Sequence, residues 1–412
     1  MKVMKNSFLS ILRFTLPLWA LSIIISISGC NEQSPIAGGA VFDDTINVNV
    51  ISSDSISMFT GSSAGSIKPS ASYAADLFLG SAKGFTSSIL SRFGNVPDSL
   101  PDAEIISAKL ILQPKRYALG DSLSNRIAFD VFTINKPWTP RATIDSFLQA
   151  GFLDIMSMGT FDGSIALRDT MPEISVDIAQ SLIKSWFVLR NKAKNDTNVK
   201  TESAYGIALK PKSGSTVIRA FARNTISTPD NPTVRIRVAY KKAGSATVDT
   251  MMLESAYDAT FTIEPNPLQD RVILNYGTGT FSNLDISLKD VPTGIAIHGA
   301  VLSLTLDSVE TIRGNQFRDS VISSQFVDSL AGNLVREFTG FSKNGSIVYE
   351  FPVVNGMVES LLRNTKTGTM KILPYILRDR TRLDRMVFFG PKDADPKKRP
   401  SLRIIYSTRP KP

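Results

Sequence analysis

The chain has 412 residues, of which 42% are hydrophobic and 20% charged, a balance that excludes a disordered protein and leaves room for two or three domains. Lys and Arg outnumber Asp and Glu by 46 to 37, for a formal charge of +9. One cysteine and one histidine exclude a disulfide framework and any metal centre assembled from several histidines.

The first element in chain order is an export signal. Lys2, Lys5 and Arg13 precede an apolar run from Phe14 to Ile27, and small residues follow, so residues 1–29 read as a signal peptide. Its ending, Ile27-Ser28-Gly29-Cys30, resembles the lipobox of bacterial lipoproteins. That resemblance implies acylation of Cys30, a membrane partner through the lipid, and residence in the bacterial cell envelope at the outer membrane. Two or more acyl chains give a lasting anchor where one holds weakly. Removal of the signal takes three cations and leaves +6. Residues 30–44 are polar, contain Gly38 and Gly39, and read as a spacer.

Strand signals dominate from residue 45. Ala108-Lys109-Leu110-Ile111-Leu112 mixes alternation with a β-branched run, and Ile127, Phe129 and Val131 alternate through the next apolar segment. Clusters of Gly, Pro, Asn, Asp and Ser separate such runs, as an all-β sandwich requires. Three segments then recur in one order. Ala103–Leu112 matches Ile295–Leu304. Val176, Ile178, Leu182, Ile183, Ser185 and Trp186 match Phe351, Val353, Met357, Val358, Ser360 and Leu361. Asn231–Ile236 matches Arg399–Ile404. The expected fold is therefore all-β: two tandem antiparallel, jelly-roll-like β-sandwich domains at 45–242 and 250–408, joined by a linker at 243–249.

The strand Ile105–Leu112, the segment Pro137-Trp138-Thr139, the short helix reaching Trp186 and the closing Arg399-Pro400-Ser401-Leu402 resemble DNRLRE-type β-sandwich modules of bacterial surface proteins. The likeness covers most of 46–240 and, more weakly, 250–407. The name-giving motif itself is not present, and the second half has no counterpart to Trp138. The resemblance implies a non-catalytic module of a kind that in some cases binds polysaccharide.

Residues able to carry chemistry are few. His298 takes the place of Ile106 in the repeat and reads as structural. Gly61-Ser62-Ser63-Ala64-Gly65 matches a nucleophile elbow on paper, but no helix follows it, so it reads as a small-residue loop. Ser181-Leu182-Ile183-Lys184 and Lys366-Thr367-Gly368 mimic penicillin-recognising motifs but fall in different repeats. Asp43, Asp44, Asp393 and Asp395 fall short of a calcium loop. Fourteen Lys and Arg stand between Arg363 and Lys411 against four Asp, a face suited to anions. There Arg378, Arg380 and Arg382 alternate and, if extended, form a cationic strip for uronic acids, with Tyr375 as a conceivable base for a lyase. The competing reading pairs those arginines with Asp379 and Asp384 at the surface.

The combined expectation is a monomeric, lipid-anchored envelope protein without an enzymatic centre, cofactor, metal or nucleic-acid partner. It binds neutral or acidic polysaccharide through stacking on Trp138 and Tyr117 and charge from Arg378, Arg380 and Arg382. A structural or adhesive protein without sugar affinity is the alternative, and a polysaccharide hydrolase or lyase the third.

Overall fold

The computed structural model describes residues 47–66, 74–167, 172–199, 201, 204–223, 234–317, 320–328, 332–343, 345–352, 354–375 and 380–408. The signal, Cys30 and the spacer lie outside the described residues, as does Arg378.

Among the described residues, twenty-two strands and three α-helices follow one another. The first stretch holds β1 (Val48–Ser52), β2 (Phe59–Ser66), β3 (Leu77–Ala82), β4 (Phe85–Phe93), β5 (Glu104–Leu112), β6 (Pro114–Gly120) and β7 (Arg126–Ile134). Next come α1 (Ile144–Phe147), β8 (Leu153–Ser164), β9 (Ile174–Asp177), α2 (Gln180–Asn195), β10 (Gly206–Pro211), β11 (Val217–Phe221), β12 (Arg235–Lys241) and β13 (Asp249–Ile263). The remainder holds β14 (Arg271–Asn275), β15 (Thr280–Ser287), β16 (Ile295–Thr305), β17 (Val321–Asp328), β18 (Leu334–Ser342) and β19 (Val348–Pro352). It closes with α3 (Asn355–Arg363), β20 (Thr367–Pro374), β21 (Arg385–Phe389) and β22 (Ser401–Thr408).

The fold is all-β, with two antiparallel sheets of eleven strands each. Period-two patterning explains the strands of the second sheet. In β15, Thr280, Ser282, Leu284 and Ile286 are buried and their neighbours half-exposed, and β17 and β20 alternate in the same way. The helices bury one stripe each: Leu182, Ile183, Trp186 and Phe187 on α2, and Met357, Val358, Ser360 and Leu361 on α3.

The recurring segments hold equivalent places. β5 lies between β9 and β12, and β16 lies between β19 and β22. Likewise β13-β4-β10-β7-β8 are neighbours in the first sheet and β2-β15-β20-β17-β18 in the second. Each sheet has its own core, fed by both strand groups. Leu110, Val176 and Ile236 meet Leu79, Val131 and Leu209 in the first, and Leu302, Phe351 and Leu402 meet Leu284, Ile322 and Met370 in the second.

Two features depart from the boundaries read along the chain. Residues 242–248, most of the linker expected at 243–249, form the tip of a β12–β13 hairpin. β13 belongs to the first sheet, its start on β12 and its end on β4. Conversely β1 and β2 belong to the second sheet, paired with β22 and β15. The pairing of β1 and β2 with strands more than 200 residues away leaves no mark in local periodicity, which is why the sequence groups both with the first half.

The two sheets are joined by an apolar contact and a hydrogen-bonded seam. Leu383 inserts fully buried among Phe78, Phe85, Tyr117, Leu119, Ile218 and Ala220. Tyr117 Oη donates to Asp384 Oδ1 (3.3 Å) and accepts from the Leu383 amide (2.9 Å). The Asn315 amide donates to the Ala118 carbonyl at 2.9 Å, and the Ala118 amide returns a bond to Asn315 Oδ1 at 2.9 Å. The Asn315 side-chain amide also donates to the Arg116 carbonyl at 2.8 Å. Gly314 is required here, since a Cβ would lie 2.6 Å from the Tyr117 ring.

Candidate functional site

The expected stacking residues are not surface platforms. Trp138 is only 5% exposed. Its ring meets Tyr257 edge-on at 4.8 Å, and its carbonyl accepts from Tyr257 Oη at 2.8 Å. Tyr117 is 2% exposed in the seam between the sheets. The flanking prolines and Thr139 suggested an open loop around Trp138. The segment instead folds down because the sheet face beneath it is apolar: Leu90, Ala208 and Ala259 point outward there and pack with Trp138, Phe152 and Phe147.

Arg380 and Arg382, the two described residues of the expected cationic strip, do not lie on a strand. Residues 380–384 are turn and loop, and β21 begins only at Arg385. Arg382 is 5% exposed, stacked 4.4 Å over the Tyr276 ring, with Nε 3.3 Å from Asp384 Oδ2. The Arg382–Asp384 pair is thus interior rather than on the surface. Arg380 is exposed, and its carbonyl accepts from the Ala75 amide.

The motif mimics find structural duties. Ser62 and Ser63 lie in β2, paired with β15, rather than in a loop. His298 sits at a bulge in β16 with Nε2 2.8 Å from Ser407 Oγ. Lys184 Nζ donates to the Ala103 carbonyl (2.9 Å) and Lys366 Nζ to that of Val291 (3.0 Å). Asp393 pairs with Arg271 at 3.0 Å, and Asp395 caps the turn at Lys397. Arg219, fully buried on β11, has its pKa lowered to about 10 by burial and donates to the Ile165 and Lys115 carbonyls, both at 3.0 Å. Among the described residues no group of three or more Cys, His, Asp or Glu is placed to hold a metal ion.

What the structure does bring together is an open sheet face in the second half. Across β2-β15-β20-β17-β18 the outward row reads Ser63, Asn283, Lys371, Gln325 and Glu337, each opposite the next in register. Five strands span roughly 19 Å at ~4.8 Å spacing. The matching order in the first sheet reads Ala259, Leu90, Ala208, Phe132 and Ser157, of which Ala259, Leu90 and Ala208 pack beneath the Trp138 segment while Ser157 is exposed. One sheet carries an apolar row with a lid of chain over it. The other carries a polar row whose middle three residues, Asn283, Lys371 and Gln325, line a groove.

That groove holds about 490 Å³ and is lined also by Asn364 and Thr365, which follow α3, and by the apolar Phe326, Val327, Val335 and Leu361. Gln325 Nε2 donates to Glu337 Oε1 (2.7 Å), and Thr369 Oγ1 donates to Asp285 Oδ1 (2.7 Å). The Lys371 ammonium lies 4.7 Å from the centre of the half-exposed Phe281 ring. Amides offer donors and acceptors together, which suits adjacent hydroxyl groups. These residues were missed in the sequence, although the alternation through Thr280–Ser287 marks Phe281, Asn283 and Asp285 as facing out. Comparison of the chain with models of known families, with curated proteins and with solved structures finds no match.

Proposed function

We propose that this is a non-catalytic, lipid-anchored cell-envelope protein of two tandem β-sandwich domains that binds polysaccharide. The observation that supports the reading is the polar row Ser63-Asn283-Lys371-Gln325-Glu337, left uncovered among the described residues, where Leu90, Ala208 and Ala259 of the counterpart row are apolar and packed beneath Trp138. A groove of about 490 Å³ is in the size range of ligand sites, and the five-strand row that runs through it spans roughly 19 Å, room for several sugar rings side by side. Asp285 and Glu337 flank Lys371, so the face carries both signs and favours neutral glycans over uronic acids. The likeness to DNRLRE-type modules supports this reading through strand pattern alone. The lipobox-like Ile27–Cys30 supports an anchor, which labelling with radioactive palmitate tests, the label being lost in Cys30→Ser.

Affinity electrophoresis against neutral and acidic glycans tests the binding. The triple change Asn283→Ala, Gln325→Ala, Lys371→Ala is expected to weaken retention about tenfold or more, since each lost hydrogen bond is worth roughly 0.5–1.5 kcal/mol. Retention unaltered by those changes refutes the site. Absence of retention on every glycan favours the structural or adhesive alternative.

A further inference from the structure

The second sheet is completed by strands with no direct covalent tie to it. In the first sheet, β12 passes into β13 through the hairpin at 242–248, so the completing strand is held by its immediate neighbour in the chain. In the second sheet the equivalent places beside β22 and β15 are filled by β1 and β2. Their only covalent route to that sheet runs through residues 67–73 and then the whole of the first sheet. Sequence order thus leaves the pair Val48–Ser66 held to its sheet by non-covalent forces alone.

Those forces are uneven along the segment. Met58 is fully buried in the second core, with Ile51, Ile56 and Phe59 packed against it. β1 itself is an edge strand, with Val48 59% and Val50 60% exposed. β2 reads Phe-Thr-Gly-Ser-Ser-Ala-Gly-Ser, a composition of low strand propensity whose register is weakly specified. The place it fills is the opposite. Leu284, Ile286, Leu402 and Ile404 line the core along β15 and β22, and the edges of those strands need a partner. A weakly held donor beside a demanding acceptor is the arrangement from which exchange of identical elements proceeds at low cost, because the pairing broken within one chain forms again between two.

We propose that Val48–Ser66 is exchangeable between copies of this chain: a second molecule donates its β1 and β2 to β22 and β15, producing a strand-swapped dimer. The partner is another copy because only that segment carries the register and the Met58 anchor that the vacated place fits. The closed monomer and the swapped dimer share one set of strand pairings and differ in which chain supplies them.

The test uses the full chain in a Cys30→Ser background. Two single variants are made, Val50→Cys and Ile405→Cys, at positions opposite each other in the β1–β22 register. Neither chain can form this disulfide by itself. The two are mixed, loosened briefly in mild denaturant, returned to native buffer and oxidised at low and high protein concentration. A control mixture pairs Val50→Cys with Val309→Cys, which is 91% exposed and away from that register. Exchange is expected to give roughly tenfold or more covalent heterodimer than the control, since docked partners meet at an effective concentration far above bulk. The yield is expected to rise with protein concentration, and the denaturant needed to reach it is expected to fall when Met58→Ala is added to both chains. Heterodimer no more abundant than in the control, at every concentration and with Met58→Ala present, overturns the proposal.

Discussion

Tyr117→Phe removes one oxygen from the seam between the sheets and leaves the ring in place against Phe78, edge-on at 5.7 Å. Two bonds go with it. The Leu383 amide, which donates to Tyr117 Oη at 2.9 Å, becomes a buried donor without that acceptor, a cost of about 1–3 kcal/mol. Asp384, fully buried, loses the phenol as a donor at 3.3 Å, and hydrogen bonds to a charged group are worth about 1.5–3 kcal/mol. Asp384 keeps the Gly314 amide at 2.6 Å and Arg382 Nε at 3.3 Å, so the carboxylate is weakened in its site rather than stranded. The expected loss is about 3–5 kcal/mol, a large share of the ~5–15 kcal/mol that holds a typical domain. The control is Tyr205→Phe. Tyr205 is also buried, but its hydroxyl has no hydrogen-bond partner among the described residues, so its removal is expected to shift stability by less than about 0.5 kcal/mol or to raise it. Urea unfolding of the two variants beside the wild type measures both. A Tyr117→Phe midpoint indistinguishable from that of Tyr205→Phe refutes the reasoning.

The remaining expectations concern pH and the buried indole. Burial first, and the Asp384 charge second, push the Tyr117 phenol well above its usual value. Because the folded pKa is the higher one, the contribution of Tyr117 is complete below about pH 10 and is lost as pH rises through the folded value. The wild type is therefore expected to lose stability in base more steeply than Tyr117→Phe; equal slopes in a urea series from neutral to alkaline pH contradict this. Trp138→Ala, at the centre of the covered face, is expected to cost about 3–5 kcal/mol while leaving glycan retention at the second-half face intact. Calorimetry paired with affinity electrophoresis checks both, and a variant that keeps its stability but loses retention restores Trp138 as a binding residue.

Many of the elements were legible because their signal is local, whereas β2, built of small residues at Gly61–Gly65, read as a loop. Strict alternation marks a strand, and the stripes Leu182–Phe187 and Met357–Leu361 mark helices that bury one side. Partnership was not legible. Nothing within Val48–Ser66 says that its neighbours are β22 and β15, more than 200 residues away in the chain. Charge misled in a related way. Arg382 and Asp384 read as surface groups because such residues usually are, but a tyrosine ring and a carboxylate supplied by the fold compensate their burial.

The clearest case is Trp138, whose lack of a counterpart in the second half is plain in the sequence. In isolation that lack says little, because a missing aromatic in a degenerate repeat has many causes. It acquires meaning when the rows beneath are compared. A sheet face of Leu90, Ala208 and Ala259 has to be shielded from water, and the Trp138 segment shields it. A face of Asn283, Lys371 and Gln325 gains nothing from an apolar cover, which would strip those groups of water without giving them partners. The polar row and the lack of a covering indole are therefore physically consistent with each other, as are the apolar row and Trp138 in the first half. Among the described residues that surface keeps its hydrogen-bonding groups in contact with water, which the proposed glycan hydroxyls would replace.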